Sequence, residues 1–199
     1  MEAAQILVVC TGNICRSPLV ERLIQPALDA RYGDGALLVR SAGTGALVGE
    51  AMDERSAAIL RELGGSPEGF IARRLTAGMV RDASIVLTAT RAHRSQVVRL
   101  WPKALKYAFT LRELAHLVQA GGAAGQDRLQ ADPQDRVSAL ASRARALRGH
   151  HAPADPDELD VIDPFRRTDD IYAQMRDQVS TALPPVLLAL GAVDGPGRK

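Results

Sequence analysis

Residues 6–18 read Ile-Leu-Val-Val-Cys-Thr-Gly-Asn-Ile-Cys-Arg-Ser-Pro and contain three successive structural signals. The four aliphatic residues at 6–9 are typical of a strand that is buried on both faces of a parallel sheet. Ser17 is a good N-cap, and Pro18 suits the first position of a helix. The stretch therefore predicts a buried strand, a short loop that begins at Cys10, and a helix.

Strand and helix signals alternate along most of the chain. Strands are predicted at residues 37–41, 85–88 and 107–109, and helices at 57–63, 92–100 and 169–190. Pro26 should kink or shorten the first helix. Alternating strands and helices favour a parallel sheet with right-handed crossovers, in which ligands bind at the carboxyl ends of the strands. Cys10 stands at such an end.

The composition changes between residues 120 and 160, where glycines and prolines bracket a single helical pattern. Its apolar face comprises Val137, Leu140, Ala144 and Leu147. Its arginines are expected to point elsewhere, and they are Arg136, Arg143, Arg145 and Arg148. We interpret residues 120–160 as an insertion that packs one amphipathic helix onto a single domain covering residues 1–199, with a frayed tail from Gly195.

The composition is that of a folded globular protein, with 199 residues, 46% hydrophobic and 24% charged, and a net charge of +2. A chain of this length can bury a core without disulfides or a structural metal. No stretch approaches the roughly 18 apolar residues of a membrane span, and the apolar run at residues 6–9 is too short, and lacks the basic residues, expected of a signal peptide. Cys10 and Cys15 are the only cysteines, which favours a reducing compartment. We expect a cytoplasmic protein.

Nucleic acid is a poor candidate partner for this chain. Three phenylalanines, three tyrosines and one tryptophan leave few rings for stacking on bases. The 23 acidic residues nearly balance the 25 lysines and arginines, and no basic tract is interleaved with aromatic residues. The four histidines, His93, His116, His150 and His151, show no metal-ligand spacing.

The loop between the first strand and helix has the residues of an oxyanion cradle. Successive backbone N–H groups can point inward, and the helix adds the positive end of its dipole. Arg16 can bind two oxygens with its planar guanidinium. The helix dipole and the charge of Arg16 should also stabilise the thiolate of Cys10. The Ser17 hydroxyl can donate a hydrogen bond to that sulfur. Gly12 permits the tight backbone path, and the amide of Asn13 can tie the loop together.

The segment Cys10–Pro18 resembles the signature of the low-molecular-weight protein tyrosine phosphatases, in the bacterial branch related to protein arginine phosphatases. The similarity continues at residues 41–44, at residues 72–75 and at Asp163-Pro164-Phe165. The resemblance implies a three-layer α/β/α fold, with a four-stranded parallel sheet flanked by helices on both faces. It also implies catalysis without a cofactor or metal.

The resemblance assigns roles to individual residues. Cys10 is the implied nucleophile, Arg16 binds phosphate with the loop, and Asp163 is the general acid. The phosphate-binding loop positions are Thr11, Gly12, Asn13, Ile14, Cys15 and Ser17. Spacing alone would not choose Asp163, because several aspartates crowd the region. We interpret Asp169 and Asp170 as helix N-terminal acids.

Two rim positions depart from the family pattern and bear on the substrate. Leu47 stands near where many members have an aromatic residue, and Phe165 is followed by Arg166 instead of a second aromatic. Ile14 is typical of tyrosine phosphatases, whereas arginine phosphatases have threonine there. A branched apolar side chain at the rim of the loop should therefore favour phosphotyrosine.

The favoured function is hydrolysis of phosphotyrosine in a protein substrate through a cysteinyl-phosphate intermediate. An arginine phosphatase with the same catalytic residues is the alternative. An arsenate reductase would need a further resolving cysteine, and a silent phosphate-binding module is disfavoured because nucleophile, arginine and acid are all present. We expect a monomer or weak dimer that binds neither nucleic acid nor membranes. Cys15 is either a small buried side chain or, as the resemblance implies, a reversible disulfide partner of Cys10.

Overall fold

Four parallel strands form the centre of the computed structural model, which describes residues 4–122, 132–151 and 155–193. The strands are β1 (Ala4–Cys10), β2 (Leu37–Gly43), β3 (Ile85–Thr88) and β4 (Ala108–Thr110). They lie in the order β2-β1-β3-β4, and each neighbouring pair is parallel. The predicted parallel sheet and its strand positions are confirmed to within a few residues.

Seven helices surround the sheet among the described residues: α1 (Arg16–Tyr32), α2 (Glu54–Glu62), α3 (Ala77–Asp82), α4 (Arg91–Leu100), α5 (Leu111–Ala120), α6 (Pro133–Leu147) and α7 (Asp169–Leu190). Short 3₁₀ turns cover Pro102–Lys106 and Pro156–Leu159. The sequence patterns did not predict α3 and α5. The start of α5 carries a clear signal in retrospect, because Thr110 and Glu113 form a reciprocal capping box.

The alternation of side chains along β1 explains the three-layer arrangement. Ile6 and Val8 belong to one buried cluster, which includes residues of α1, α2, α5, α6 and α7. Leu7 and Val9 belong to a second cluster, which includes residues of α3 and α4. Because successive strand residues point to opposite faces, both faces of β1 are buried. The predicted α/β/α layering is therefore confirmed.

Helix α1 differs from the prediction at its start. It begins at Arg16, its N-cap is Cys15, and no side chain caps it. Ser17 therefore lies inside the first turn, and the prediction that Ser17 is the N-cap and Pro18 the first helical residue is wrong. The physical reason is that the Ser17 hydroxyl is already engaged, because it accepts from the Asn13 amide and contacts the Cys10 sulfur.

Pro26 does not shorten α1, which continues to Tyr32. The proline is exposed, and its ring therefore does not disturb the buried face of the helix. Pro184 and Pro185 likewise lie inside α7 without ending it, and the predicted range 169–190 is confirmed. The predicted fraying from Gly195 lies outside the described residues.

Helix α6 is present where the amphipathic pattern predicts it, and Val137, Leu140 and Ala144 are buried. The expectation that its arginines all point away from the buried face is wrong for one of them. Arg136 is buried, and a Cβ on Gly191 would lie 2.9 Å from its Cζ atom. Gly191 is the C-cap of α7, where the helix dipole favours a cation.

Within residues 4–122, 132–151 and 155–193, no helix combines the length and the apolar character needed to cross a membrane.

Candidate active site

The loop of residues 10–17 connects β1 to α1 at the carboxyl edge of the sheet. Residues 44–47 run alongside it, and three backbone N–H groups donate to its carbonyls: Thr44 to Cys10 (3.0 Å), Gly45 to Thr11 (3.1 Å) and Leu47 to Gly12 (3.0 Å). A Cβ on Gly43 would lie 2.3 Å from the Thr11 carbonyl oxygen, so this close approach requires glycine. The loop is thus held by the segment that follows β2.

The thiol of Cys10 is 2% exposed and lies 3.0 Å from the Ser17 hydroxyl. Asn13, in a left-handed conformation with φ of 55°, donates from Nδ2 to Ser17 Oγ (2.9 Å) and to Ser41 Oγ (2.8 Å). Since the amide already donates to Ser17 Oγ, the hydroxyl hydrogen of Ser17 is available for the sulfur. In this orientation the Ser17 hydroxyl donates to the Cys10 sulfur.

The network continues to a buried carboxylate that the sequence analysis missed. Ser41 donates to Glu21 Oε2 at 2.5 Å, and Nη2 of Arg73 lies 3.7 Å from Glu21 Oε1. The backbone N–H of Arg73 donates to Asn13 Oδ1 at 2.8 Å, so both ends of the amide are occupied. The available signal was the helical spacing of Glu21 with Ile24 and Leu28, which places an acidic residue on an apolar helix face where an unpaired carboxylate would be costly.

Arg16 links the loop to the C-terminal part of the chain. Its Nη2 atom lies 2.7 Å from Oδ2 of Asp163, and its Nη1 donates to the Val161 carbonyl at 3.2 Å. The Arg16 side chain is buried, whereas that of Asp163 is 54% exposed. Nε of Arg16 is buried without a partner among the described residues, so it retains a donor for an oxyanion. Residues 147 positions apart are therefore brought together as the resemblance implied.

His93 contacts the loop from α4, which the sequence analysis did not foresee. Nε2 lies 2.8 Å from Thr11 Oγ1, and Nδ1 lies 2.7 Å from Thr90 Oγ1. Burial, and secondarily the positive charge of Arg16, lowers the pKa of His93 to about 4. The imidazole is therefore neutral at physiological pH. In the described parts of the chain, no three His, Cys, Asp or Glu side chains are grouped so as to hold a metal ion.

Cys15 and Ile14 both face the interior. Burial raises the pKa of the Cys15 thiol to about 12. Both cysteines are free thiols, and a protonated Cys15 is a poor nucleophile. Ile14 is 7% exposed and belongs to the core cluster, so the expectation that it forms part of an open rim is wrong.

The mouth of the site is bordered by exposed apolar side chains. Leu47 is 42% exposed, and its N–H donates to Gly12 of the loop. Phe165 is 38% exposed, and its N–H donates to Asp163 Oδ1 at 3.2 Å. The guanidinium of Arg166, the residue that replaces a second aromatic, lies 5.1 Å from the Phe165 ring centre. The two predicted rim residues therefore flank the loop and the carboxylate.

Fold and site together define a parallel α/β protein with a cysteine–arginine loop at the end of its first strand. The family model described as low molecular weight phosphotyrosine protein phosphatase matches residues 5–127, and the chain belongs to that family. The match includes the 10–17 loop and ends before Asp163.

A probable low molecular weight protein-tyrosine-phosphatase of Erwinia amylovora, AmsI, is 42% identical over 97 residues. These are 49% of this chain, and the match spans 63% of the length of that relative. The fold is similar to a crystal structure of the tyrosine phosphatase Wzb from Escherichia coli with sulphate (TM-score 0.62, 23% identity, 94% of this chain and 96% of that one). It is also similar to the YwlE arginine phosphatase from Geobacillus stearothermophilus (TM-score 0.65, 23% identity, 94% and 93% covered).

Proposed function

We propose that this protein is a protein tyrosine phosphatase that acts through a cysteinyl-phosphate intermediate on Cys10. The observation that carries the proposal is the convergence of a buried thiol, a buried arginine and a half-exposed carboxyl group at one end of the sheet. Cys10 Sγ contacts the Ser17 hydroxyl, and Arg16 contacts Asp163. Nucleophile, anion-binding group and proton donor are the groups that phosphoryl transfer through a thiolate requires.

In the first step, the Cys10 thiolate attacks phosphorus and forms the S–P bond while the bond from phosphorus to the tyrosyl oxygen breaks. Protonated Asp163 gives its proton to that oxygen, and tyrosine leaves as the neutral phenol. The Arg16 guanidinium binds two nonbridging oxygens together with the loop N–H groups. Its contact with Asp163 holds the carboxyl beside the reacting phosphate.

In the second step, water attacks phosphorus and the S–P bond breaks. The Asp163 carboxylate takes a proton from the water, and inorganic phosphate leaves. Cys10 departs as a thiolate, which the Ser17 hydroxyl stabilises by hydrogen bonding. Asn13 holds Ser17 in place through the 2.9 Å contact, so the serine keeps this orientation in both steps.

The rim supports an aryl leaving group. Exposed Leu47, which is tied to the loop, and exposed Phe165, which is tied to Asp163, provide apolar surface for a phenyl ring. A protein arginine phosphatase would use the same three catalytic groups to break a P–N bond. Phosphoarginine carries a charged guanidinium, for which these two side chains offer no hydrogen-bond acceptor.

The experiment compares kcat/KM for p-nitrophenyl phosphate with two peptides of one sequence, bearing phosphotyrosine or phosphoarginine. We expect the phosphotyrosyl peptide to be preferred. Arg16→Lys should lower kcat/KM by about 10²- to 10³-fold, because a single ammonium cannot replace the planar fork. A preference for the phosphoarginyl peptide would show that the substrate is phosphoarginine and not phosphotyrosine. An unaltered kcat/KM in Arg16→Lys would refute the proposal that Arg16 binds the phosphate.

We also infer that residues 1–199 form one domain, with residues 120–160 as an insertion that braces the sheet. Val137 and Leu140 of α6 share the core cluster of β1 and β3. The family match ends at residue 127, close to where this segment begins. The proposed partner is a phosphorylated protein, and the proposed monomer or weak dimer can be tested by sedimentation at several concentrations.

A further inference from the structure

A buried histidine contacts the side chain that follows the proposed nucleophile. His93 lies in the first turn of α4, and its ring joins two hydroxyl groups: Nδ1 contacts Thr90 Oγ1 and Nε2 contacts Thr11 Oγ1. The proposed mechanism gives His93 no task. Its ring nevertheless provides the link between α4 and the first residue of the loop after Cys10.

The hydrogen-bond roles of the ring follow from its neighbours. A neutral imidazole has one N–H donor and one acceptor nitrogen. Oγ1 of Thr90 caps α4 by accepting from the backbone N–H of His93 at 3.3 Å, so its own hydrogen is available for Nδ1. Nδ1 is then the acceptor. In this tautomer Nε2 carries the ring proton and donates a hydrogen bond to Thr11 Oγ1.

This polarity fixes what the Thr11 hydroxyl can do. Because its oxygen accepts from His93, its hydrogen points away from the ring and is free to donate. Thr11 is exposed, and its backbone is tied to Gly45 by a 3.1 Å hydrogen bond. Its Cγ2 atom lies against the same glycine, 3.6 Å from where a Cβ would stand. The threonine side chain is thus held on one side by residue 45 and on the other by His93.

We propose that His93 is a positioning residue, which holds the Thr11 hydroxyl as a hydrogen-bond donor to an oxygen of the phosphate bound in the 10–17 loop. The inference rests on the proposed function for the identity of the ligand, and it adds a side-chain donor to the backbone N–H groups and Arg16. Hydrogen bonds to charged groups are stronger than neutral ones, so the loss of this donor should be measurable.

Two substitutions of His93 separate its two nitrogens. Gln places an amide nitrogen near the position of Nε2 and can still donate to Thr11, whereas Asn reaches only the position of Nδ1. We expect His93→Asn to lower kcat/KM for p-nitrophenyl phosphate, and to weaken binding of inorganic phosphate, by about tenfold. His93→Gln should stay within about threefold of the wild type. His116→Asn is the matched control, because His116 contacts the His151 carbonyl and not the loop.

A double-mutant cycle with Thr11 tests whether His93 acts through the hydroxyl. Thr11→Val should reproduce the loss seen in His93→Asn, and Thr11→Ser, which keeps a hydroxyl, should lose less kcat/KM than Thr11→Val. In the Thr11→Val background, adding His93→Asn should cost less than about a further twofold, because the shared hydrogen bond is already lost. Thr11 is exposed, so these variants remain informative even if a substitution of buried His93 impairs folding.

Additive losses in the cycle would overturn the proposal, as would a Gln variant that is as impaired as the Asn variant. Inorganic phosphate affinity, measured by calorimetric titration, separates this inference from the proposed function. If the wild type does not hydrolyse p-nitrophenyl phosphate, the proposed function fails, and the phosphate affinities of the four variants still decide the role of His93.

Discussion

Two buried polar clusters stabilise loops in this protein, and they differ in how completely their groups are paired. Around the 10–17 loop, Nε of Arg16 has no hydrogen-bond partner within the part of the chain that the structure describes, and the ion-pair partner Asp163 is half exposed. At the β4 edge, both oxygens of Glu113 are paired: Oε1 accepts from Arg148 Nε at 2.7 Å and Oε2 from Arg94 Nη1 at 2.6 Å. The first cluster can still bind an anion, whereas the second is complete.

The edge cluster shows what a purely structural arrangement requires. Glu113 also caps α5 by accepting from the Thr110 N–H at 3.1 Å. Arg148 donates to the Ala108 carbonyl at 2.7 Å and lies 4.3 Å from the Phe109 ring centre. The main influence on the pKa of Arg148 is burial, which lowers it, and the negative charge of Glu113 opposes this shift. Breaking this cluster should therefore affect stability, and breaking the loop cluster should affect activity.

The largest effect is expected from Asp163→Ala. Without the proton donor, kcat for aryl phosphates with poor leaving groups should fall by about 10²- to 10⁴-fold, and much less for good leaving groups. The free energy of unfolding should change little, because the carboxylate is half exposed. A leaving-group series measured by steady-state kinetics checks this. An equal decrease in kcat for good and poor leaving groups would show that another residue is the general acid.

The converse is expected for Glu113→Gln, which leaves two arginines without a counter-charge. Removing one member of a buried ion pair costs about 3 kcal/mol or more in unfolding free energy. Urea unfolding measures the loss, and Glu62→Gln, at an exposed position of α2, is the matched control. The kcat of folded enzyme should remain within about twofold of the wild type. If Glu113→Gln were as stable as the wild type but had a reduced kcat, the Glu113 cluster would serve activity and not stability, which contradicts the account.

A smaller effect concerns pH and His93. Its folded pKa, about 4, lies below the ordinary value of 6.5. The unfolded chain therefore binds a proton at a higher pH than the folded protein, and stability falls as the pH is lowered from 6.5 towards 4. Burial and Arg16 lower the pKa, whereas Asp163 and Asp160 oppose them.

Between pH 7.5 and 4.5, protonation of His93 on unfolding should lower the free energy of unfolding by about 2 to 3 kcal/mol. This contribution is obtained by measuring the difference in unfolding free energy between the two pH values for the wild type and subtracting the same difference for His93→Gln, whose side chain does not titrate in this range. Parallel stability curves for wild type and variant would show that His93 is not held neutral by its surroundings.

The smallest effect is expected at the rim. Leu47→Ala should lower kcat/KM for the phosphotyrosyl peptide by about threefold to fivefold, since it removes apolar surface available to the ring. The phosphoarginyl peptide should be less affected. Leu105→Ala changes an equally apolar, exposed residue in the turn after α4 and serves as the control. A common loss on both peptides would mean that Leu47 supports the loop and does not contact the ring.

The sequence predicts the fold and the position of the 10–17 loop well because both depend on local patterns. The run Ile6–Val9 has a composition that only a strand buried on both faces explains, and the loop residues are contiguous. Asp163 was selected by the resemblance of its Asp-Pro-Phe segment and not by spacing. Glu21 and His93 were missed because their roles depend on contacts with Ser41 and Thr11, which are distant in the chain.

The N-cap error at Ser17 has the same origin. Local propensity favours serine as a cap, but the Ser17 hydroxyl instead accepts from Asn13 and donates to the Cys10 sulfur. Helix α5 was missed for a different reason, since its capping box was available in the sequence. Arg136 illustrates a further limit, because an arginine is buried there beside the end of α7, and no pattern within α6 indicates that neighbour.

The most direct test of the account is to trap the phosphoenzyme. Asp163→Ala is mixed with p-nitrophenyl phosphate, whose good leaving group still permits the first step while loss of the carboxylate slows the second. After rapid acid quenching, peptide mass spectrometry should find one phosphoryl group on Cys10, and none in the double variant with Cys10→Ser. A phosphoryl group on any other residue, or turnover by Cys10→Ser alone, would contradict the central claim that Cys10 is the nucleophile.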